Sequence, residues 1–245
     1  MDAEKYDLIT LGRSCIDLYS QNVGAPFNEI TGFDAFVGGS PLNIAVAASR
    51  LGINTSLLTA VGNDKVGEFI IDFLKTEKVN TKTIPVKKGS RTSAAVLGIQ
   101  PPDNFPLVFY RDNAADSKIE IDDVINAKIS NYKILVISGT ALNIEPSRSA
   151  TFFSIEVAKK SNVDVVLDLD FRADQWKDIR SYGLMVRALF PNIKIVIGTE
   201  EEILASTLTD KSQLKIKNQQ ISSPEISGDI NTSISQLLSL GIETL

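Results

Sequence analysis

Along most of the chain, near-continuous apolar runs alternate with stretches whose apolar residues return every three to four positions. The runs YDLITLG at 6–12, TSLLTAVG at 55–62, ILVISG at 134–139, DVVLDLD at 164–170 and IKIVIG at 193–198 suit strands covered on both faces. Helical spacing marks LNIAVAASRLG, which ends at Gly52, then 65–79, 147–162 and 180–191. Strand and helix in alternation predict an α/β fold built on a doubly wound parallel sheet with right-handed crossovers.

Two stretches break this rhythm. Residues 19–38 lack a helical period, and 91–111 reads as two strands about a turn at Pro101, Pro102, Asp103 and Asn104. Both are inserted between strand-helix units, so they predict a small β-sheet lid over the carboxyl ends of the parallel strands, where open α/β sheets bind ligands. An edge hairpin with no part in binding is the plainer reading of the same pattern. From Asp210 to Asn231 the chain is polar and aperiodic, which predicts a long loop or insertion, 211–231, before a helix capped by Thr232 or Ser233. A further apolar strand begins at Ile242, so the expectation is one domain over 1–245 that is incomplete at its C-terminus.

Composition narrows the chemistry. Among 245 residues there is no histidine and one cysteine, Cys15, which removes Ser-His-Asp triads, Cys-His pairs and Cys/His zinc sites. Carboxylates, backbone amides, arginine, lysine and a hard divalent cation remain. A net charge of -5 argues against a nucleic-acid partner, and the absence of a long apolar run or a basic leader argues against a membrane and for the cytosol.

The pair Gly38 and Gly39 stands directly before the first helix, which carries Asn43 in its first turn. Glycines let another molecule approach the main chain, and a helix N-terminus offers free N–H groups, so the pair suits a polar ligand or simply a tight turn. Asn63 and Asp64 read as a cap for the next helix, with Gly67 allowing close packing. The acids Glu200 to Glu202 are favourable with a helix dipole whatever else they do.

In order and spacing, GGSPLNIAVAASRLG, VGNDKVGEFI, DLDFRADQW and GTEEE resemble the ribokinase-like (PfkB-type) carbohydrate kinases from Tyr6 to Leu245. GRSCIDLY, YRDNAAD, DLDFRADQW and IGTEEE resemble the branch that phosphorylates a keto-aldonic acid of myo-inositol breakdown. That resemblance implies ATP, Mg²⁺, a sugar-acid substrate and a homodimer through the lid. It implies that Asp17, on a loop at the mouth of the sheet, accepts sugar hydroxyls, that Gly38 and Gly39 lay the sugar against bare backbone, and that Asn43 reaches a hydroxyl.

Arg111 and Arg172 are expected to clamp the substrate carboxylate, since a planar guanidinium pairs bidentately with it. Each equally serves an ordinary ion pair, for instance with Asp112 or Asp174. Asp170 stands where many members carry asparagine. Thr199 and Glu202, or Gly198 and Glu201 in a register shifted by one, occupy the family's Asn-x-x-Glu element, whose glutamate acts on Mg²⁺ and phosphate through water. The family's Gly-Ala-Gly-Asp element, with its anion hole and catalytic aspartate, has no match; Gly228-Asp229 lies in the polar insertion and is rejected, so the catalytic aspartate is expected beyond Leu245. Kinases of 2-keto-3-deoxygluconate or fructose, and a sugar-acid binding module without catalysis, are the alternatives.

Overall fold

The computed structural model describes residues 6–102, 104–215 and 224–245. In chain order its elements begin with β1 (Tyr6–Leu11), β2 (Cys15–Ser20), β3 (Phe33–Gly38), α1 (Ser40–Arg50), β4 (Thr55–Leu58), β5 (Val61–Gly62) and α2 (Lys65–Thr76). Next come β6 (Val86–Lys87), β7 (Ser93–Leu97), β8 (Leu107–Tyr110), α3 (Ile121–Ala127), β9 (Tyr132–Ser138) and α4 (Ser147–Lys160). The remainder is β10 (Asp164–Asp168), α5 (Ile179–Leu189), β11 (Ile195–Ile197), α6 (Glu200–Thr207), β12 (Leu214–Lys215), β13 (Glu225–Ile226) and α7 (Ile230–Leu238).

Five strands form one parallel sheet in the order β11-β10-β9-β1-β4. Successive strand residues point to opposite faces, so the complete burial of Ile9, Thr10 and Leu11, and of Leu57 and Leu58, shows that both faces are covered. On one face Leu57 packs with Leu42, Ala45 and Val46 of α1 and with Ile70 and Leu74 of α2. The larger core joins Ile9, Leu11, Leu135, Ile137 and Leu167 to Ala150 and Ile155 of α4 and to Tyr182 and Val186 of α5. Each fully buried aliphatic side chain of this kind contributes about 1.5–3 kcal/mol. The strand order reverses between β1 and β9, which opens a crevice at the carboxyl ends of the strands.

A second sheet, β3-β2-β7-β8, provides the lid. Its strands pair antiparallel, parallel and antiparallel in turn, with Phe36, Asp17, Ala95 and Phe109 in one register row and Asp34, Tyr19, Leu97 and Leu107 in the next alternate row. These rows share one face. Val108 and Tyr110 fall on the other face and are exposed. The hairpin expected at 91–111 is present; of its turn, Asp103 lies outside the described residues.

Several expectations shift. Asp17 belongs to β2 and not to a loop, because the lid sheet starts four residues after β1 ends and draws Cys15 to Ser20 into its ladder. The run 55–62 is broken: β4 stops at Leu58, and β5 pairs with β6 in a separate two-stranded sheet. Helix α3 was not expected; it is short, and Asp123 anchors its start by accepting the Glu120 N–H at 2.7 Å. Helix α7 is capped by Asp229, which accepts the Thr232 N–H at 2.7 Å, and not by Thr232 or Ser233. Asp64 caps α2 by accepting the Gly67 N–H, as expected. Within the polar stretch β12 and β13 pair antiparallel, while 216–223 lie outside the described residues. Thr244 bridges to Ile195 at the sheet edge, where the apolar stretch from Ile242 was expected to add a strand.

Candidate functional site

Three chain reversals build a cleft of about 400 Å³ between the two sheets. At the first, β1 hands over to β2 through Gly12, Arg13 and Ser14, which puts Arg13 at the carboxyl end of the parallel sheet and Asp17 on the lid strand two residues past Cys15. At the second, β3 ends on Gly38 and turns into α1 through Gly39, whose φ of +111° is open to glycine and strained for other residues. A Cβ on Gly38 would overlap the Asp17 carboxylate, and one on Gly39 would overlap the Arg13 carbonyl. The glycine pair therefore lets the Asp17 side chain and the Arg13 backbone pack against bare main chain. Asn43 and Ser40 of α1 line the same cleft, with Tyr19, Ala95, Leu97, Leu107 and Phe109 from the lid.

The third reversal follows β10. Asp170 is 4% exposed and holds a positive φ of 35°, a strained conformation for a residue with a side chain. Its Oδ2 accepts from Ser138 Oγ at 2.8 Å and Thr140 Oγ1 at 3.3 Å, and its Oδ1 pairs with Arg172 at 3.0 Å. Arg172 also lies 3.9 Å from Glu202 and lines the cleft together with Asp170. Asp168, at the end of β10, accepts a short hydrogen bond from Ser40 Oγ. Burial pushes the Asp168 carboxyl up to about 6, against the opposing pull of Ser40 and with reinforcement from Asp170 and Glu202.

Arg13 is 6% exposed. Its guanidinium lies 4.8 Å over the Phe109 ring, one terminal nitrogen donates to Cys15 Sγ at 3.0 Å, and its Nε has no partner. Burial works against its charge, yet nearby groups, among them the Asp170, Asp116 and Asp17 carboxylates, outweigh that effect and raise its pKa. Burial also pushes the Cys15 thiol well up, so at neutral pH it stays protonated and donates to Asp17 Oδ1 at 3.0 Å.

The chain matches the model of the pfkB family carbohydrate kinases over residues 5–224. It belongs to that family. 5-Dehydro-2-deoxygluconokinase of Bacillus anthracis is 38% identical over 198 residues, covering 80% of this chain and 60% of the relative. The protein of the same name from Geobacillus thermodenitrificans is 39% identical over 197 residues, covering 80% of this chain and 58% of the relative. The pfkB chain therefore spans about 60% of the length of these curated relatives. Among solved structures, an uncharacterised sugar kinase of Pyrococcus horikoshii in complex with ATP is 26% identical, with a TM-score of 0.76 over 88% of this chain and 67% of that one. A putative ribokinase of E. coli shares the fold, with a TM-score of 0.81 at 18% identity over 97% of this chain and 70% of that one.

Of the residues singled out in this pfkB sequence, Asp17, Gly39, Asn43 and Arg172 come together in the cleft, and Gly38 abuts Asp17. Arg111 does not join the residues lining that cleft. It faces a neighbouring cavity of about 300 Å³ beyond Phe109, where it also donates to Gln175. Its guanidinium pairs with the fully buried Asp116, which leaves no two-arginine clamp in this arrangement. The ion-pair reading named Asp112 or Asp174; the acid that takes the charge is Asp116, because a 3-10 turn at Ala115–Lys118, after β8, sets it against Arg111 and Ser93.

Thr199 and Glu202 form a reciprocal cap on α6: Thr199 N–H donates to Glu202 Oε2 at 2.8 Å, and Glu202 N–H reaches Thr199 Oγ1 at 3.4 Å. Glu202 Oε1 accepts the Phe171 N–H at 3.1 Å, so the glutamate ties α6 to the loop after β10. Glu201 is exposed beside them and lines a shallow hollow with Thr199 and Glu202. Among the described residues no cluster of three or more His, Cys, Asp or Glu is placed to hold a metal directly. A carboxylate has about four acceptor sites and Glu202 uses two on backbone amides, so it fits a part played through water on a cation carried by phosphates.

Sequence reasoning missed Arg13, Ser40, Tyr19 and Asp168. For Arg13 the signal was available: a charged residue directly after the Gly12 that closes a buried strand stands at the ligand-binding end of the sheet.

Proposed function

We propose that the whole protein transfers the ATP γ-phosphate to the terminal hydroxyl of 5-dehydro-2-deoxy-D-gluconate. The observation that supports it is one cleft that gathers hydroxyl acceptors, Asp17 and Asn43, with guanidinium donors at the switch point of the sheet. The names of the relatives at 38–39% identity support this sugar acid as the substrate. On this reading residues 1–245 form one ribokinase-like domain closed by the lid, in the cytosol.

Each group has a part. Asp17 accepts two hydroxyls of the sugar, oriented by the Cys15 thiol that donates to its other side. Gly39 and Asn43 hold the chain of carbons against the start of α1, while the lid residues Leu97, Leu107 and Phe109 exclude water from it. Arg172 steers toward the phosphoryl donor between Asp170 and Glu202. When bound, ATP would supply the phosphoryl group and Mg²⁺ would neutralise its charge; Glu202, with Thr199 and Glu201 nearby, is assigned to the water shell of that cation. The group that takes the hydroxyl proton is assigned to the part of the relatives' length that this chain does not span. Val108 and Tyr110 on the outer lid face are assigned to a homodimer contact.

A sugar-acid binding module without turnover is the second reading, supported by the same cleft. The test is Mg-ATP-dependent ADP release with 5-dehydro-2-deoxy-D-gluconate, 2-keto-3-deoxygluconate and D-fructose, for this chain and for a version extended to the relatives' length. The first substrate should lead the neutral sugar by about 100-fold or more in kcat/KM, since one buried charge contact is worth that much. Equal or better turnover of D-fructose would refute the assignment. Binding by the short chain with turnover only in the extended one fits the division of labour above.

A further inference from the structure

The geometry points to Arg13 as the residue that receives the substrate carboxylate and so sets the preference for an acid over a neutral sugar. This rests on the cleft being the sugar site proposed above, and it names a residue for which no role has been assigned.

Three guanidinium groups lie in or next to the cleft. Arg111 is matched by Asp116 and donates further to Thr140 O and Gln175. Arg172 is matched by Asp170 at 3.0 Å and has Glu202 at 3.9 Å. Arg13 alone has no carboxylate within 4.0 Å among the described residues, although it is the more buried of the two that line the cleft. Its contacts are a thiol sulfur and an aromatic face, both weak partners for a charge, and its Nε is without any acceptor.

A buried charge is most stable when paired directly and fully hydrogen-bonded; Asp170, Asp116 and Asp17 act on Arg13 only from beyond 4.0 Å, so an anion in the cleft that it lines would give it a direct partner. A carboxylate fits the guanidinium fork, meeting two parallel N–H donors at once. The Phe109 ring lies under the fork, its centroid 4.8 Å from the guanidinium carbon, and covers that side of the group. Asp17, close by on β2, carries the opposite charge and turns the hydroxylated part of the same molecule toward itself. Arg13 and Asp17 both contact Cys15 Sγ at 3.0 Å, so a cationic and an anionic group stand side by side in the cleft. A neutral hexose satisfies the second and leaves the first unpaired; a hydroxylated monocarboxylate satisfies both.

Isothermal titration of this chain and of Arg13→Gln and Arg13→Lys, with 5-dehydro-2-deoxy-D-gluconate and D-fructose as probes, tests the assignment. In Arg13→Gln the acid should bind at least about 30-fold more weakly, with D-fructose changed by less than about two-fold; Arg13→Lys should fall between, keeping the charge and losing the fork. Equal losses for both probes would mean that Arg13 only supports the lid, and undiminished acid binding would mean that the carboxylate goes elsewhere; either result overturns the assignment.

Should Arg13→Gln fail to fold, the unaltered chain decides. D-Gluconate should bind at least about ten-fold more tightly than D-glucitol, which carries a hydroxymethyl group in place of the carboxylate. Equal binding contradicts the role of Arg13. If the unaltered chain binds no probe at all, the sugar-site reading fails first and Arg13 falls with it, an outcome distinct from binding without discrimination.

Discussion

Gly38 shows how a single atom sets the geometry of this cleft. A methyl group there occupies the place of the Asp17 carboxylate, so Gly38→Ala forces that side chain out of the ladder position that aims it at the ligand. The expected cost is about 1–3 kcal/mol of stability from overpacking, measured by urea denaturation, together with a loss of sugar affinity of about ten-fold. A variant as tight as the parent would show that Asp17 does not bind sugar.

Asp168 gives a pH test at the same scale. Its folded pKa, about 6, is raised above the ordinary carboxylate value of 3.8. The folded state then holds a proton that the unfolded chain releases between those two values, so ionisation destabilises the fold as pH rises through that window. Asp168→Asn keeps an acceptor for Ser40 and removes the ionisation. Its stability should match the parent near pH 4 and exceed it by about 1–3 kcal/mol at pH 7.5, and a gain that is constant across pH would contradict the account.

At the scale of elements, one of the ties that hold the lid down is a buried pair. Asp116 is 1% exposed and is met by both Arg111, just after β8, and Ser93, at the start of β7. Arg111→Met leaves that carboxylate without a counter-charge and should cost about 3–5 kcal/mol in urea denaturation. Adding Asp116→Leu should recover more than half of that loss, because the two charges are removed together. If the single change is harmless, Arg111 is free for the substrate and the two-arginine clamp returns.

This element also marks where reading the chain stops being sufficient. The parallel strands and the long helices were legible because both-face burial and a 3.6-residue period leave strong patterns over ten residues or more. The lid was legible in outline, yet β2 was not, since CIDLYS begins only four residues after β1 and carries no turn signal. Helix α3 was hidden by its length. For the site, Gly38, Gly39, Asn43 and Arg172 stand in local motifs and could be named from them. The partner of Arg111 depends on a turn five residues onward that no period announces, and the isolation of Arg13 is a property of what three separate segments fail to supply.

For the molecule as a whole, two sheets of different kinds face each other across one cleft, and the parallel one provides the rigid base. The base contributes Arg13, Asp170 and Arg172 from its strand ends, α1 contributes Gly39, Ser40 and Asn43, and the lid contributes Asp17, Tyr19 and Phe109. The central claim is that this cleft selects a sugar acid, and titration calorimetry of the purified chain with 5-dehydro-2-deoxy-D-gluconate, run beside D-fructose, tests it most directly. The account expects saturable binding at one site per chain, with the acid at least about ten-fold tighter. Tighter binding of D-fructose, or no binding of the acid by the folded chain, would contradict it.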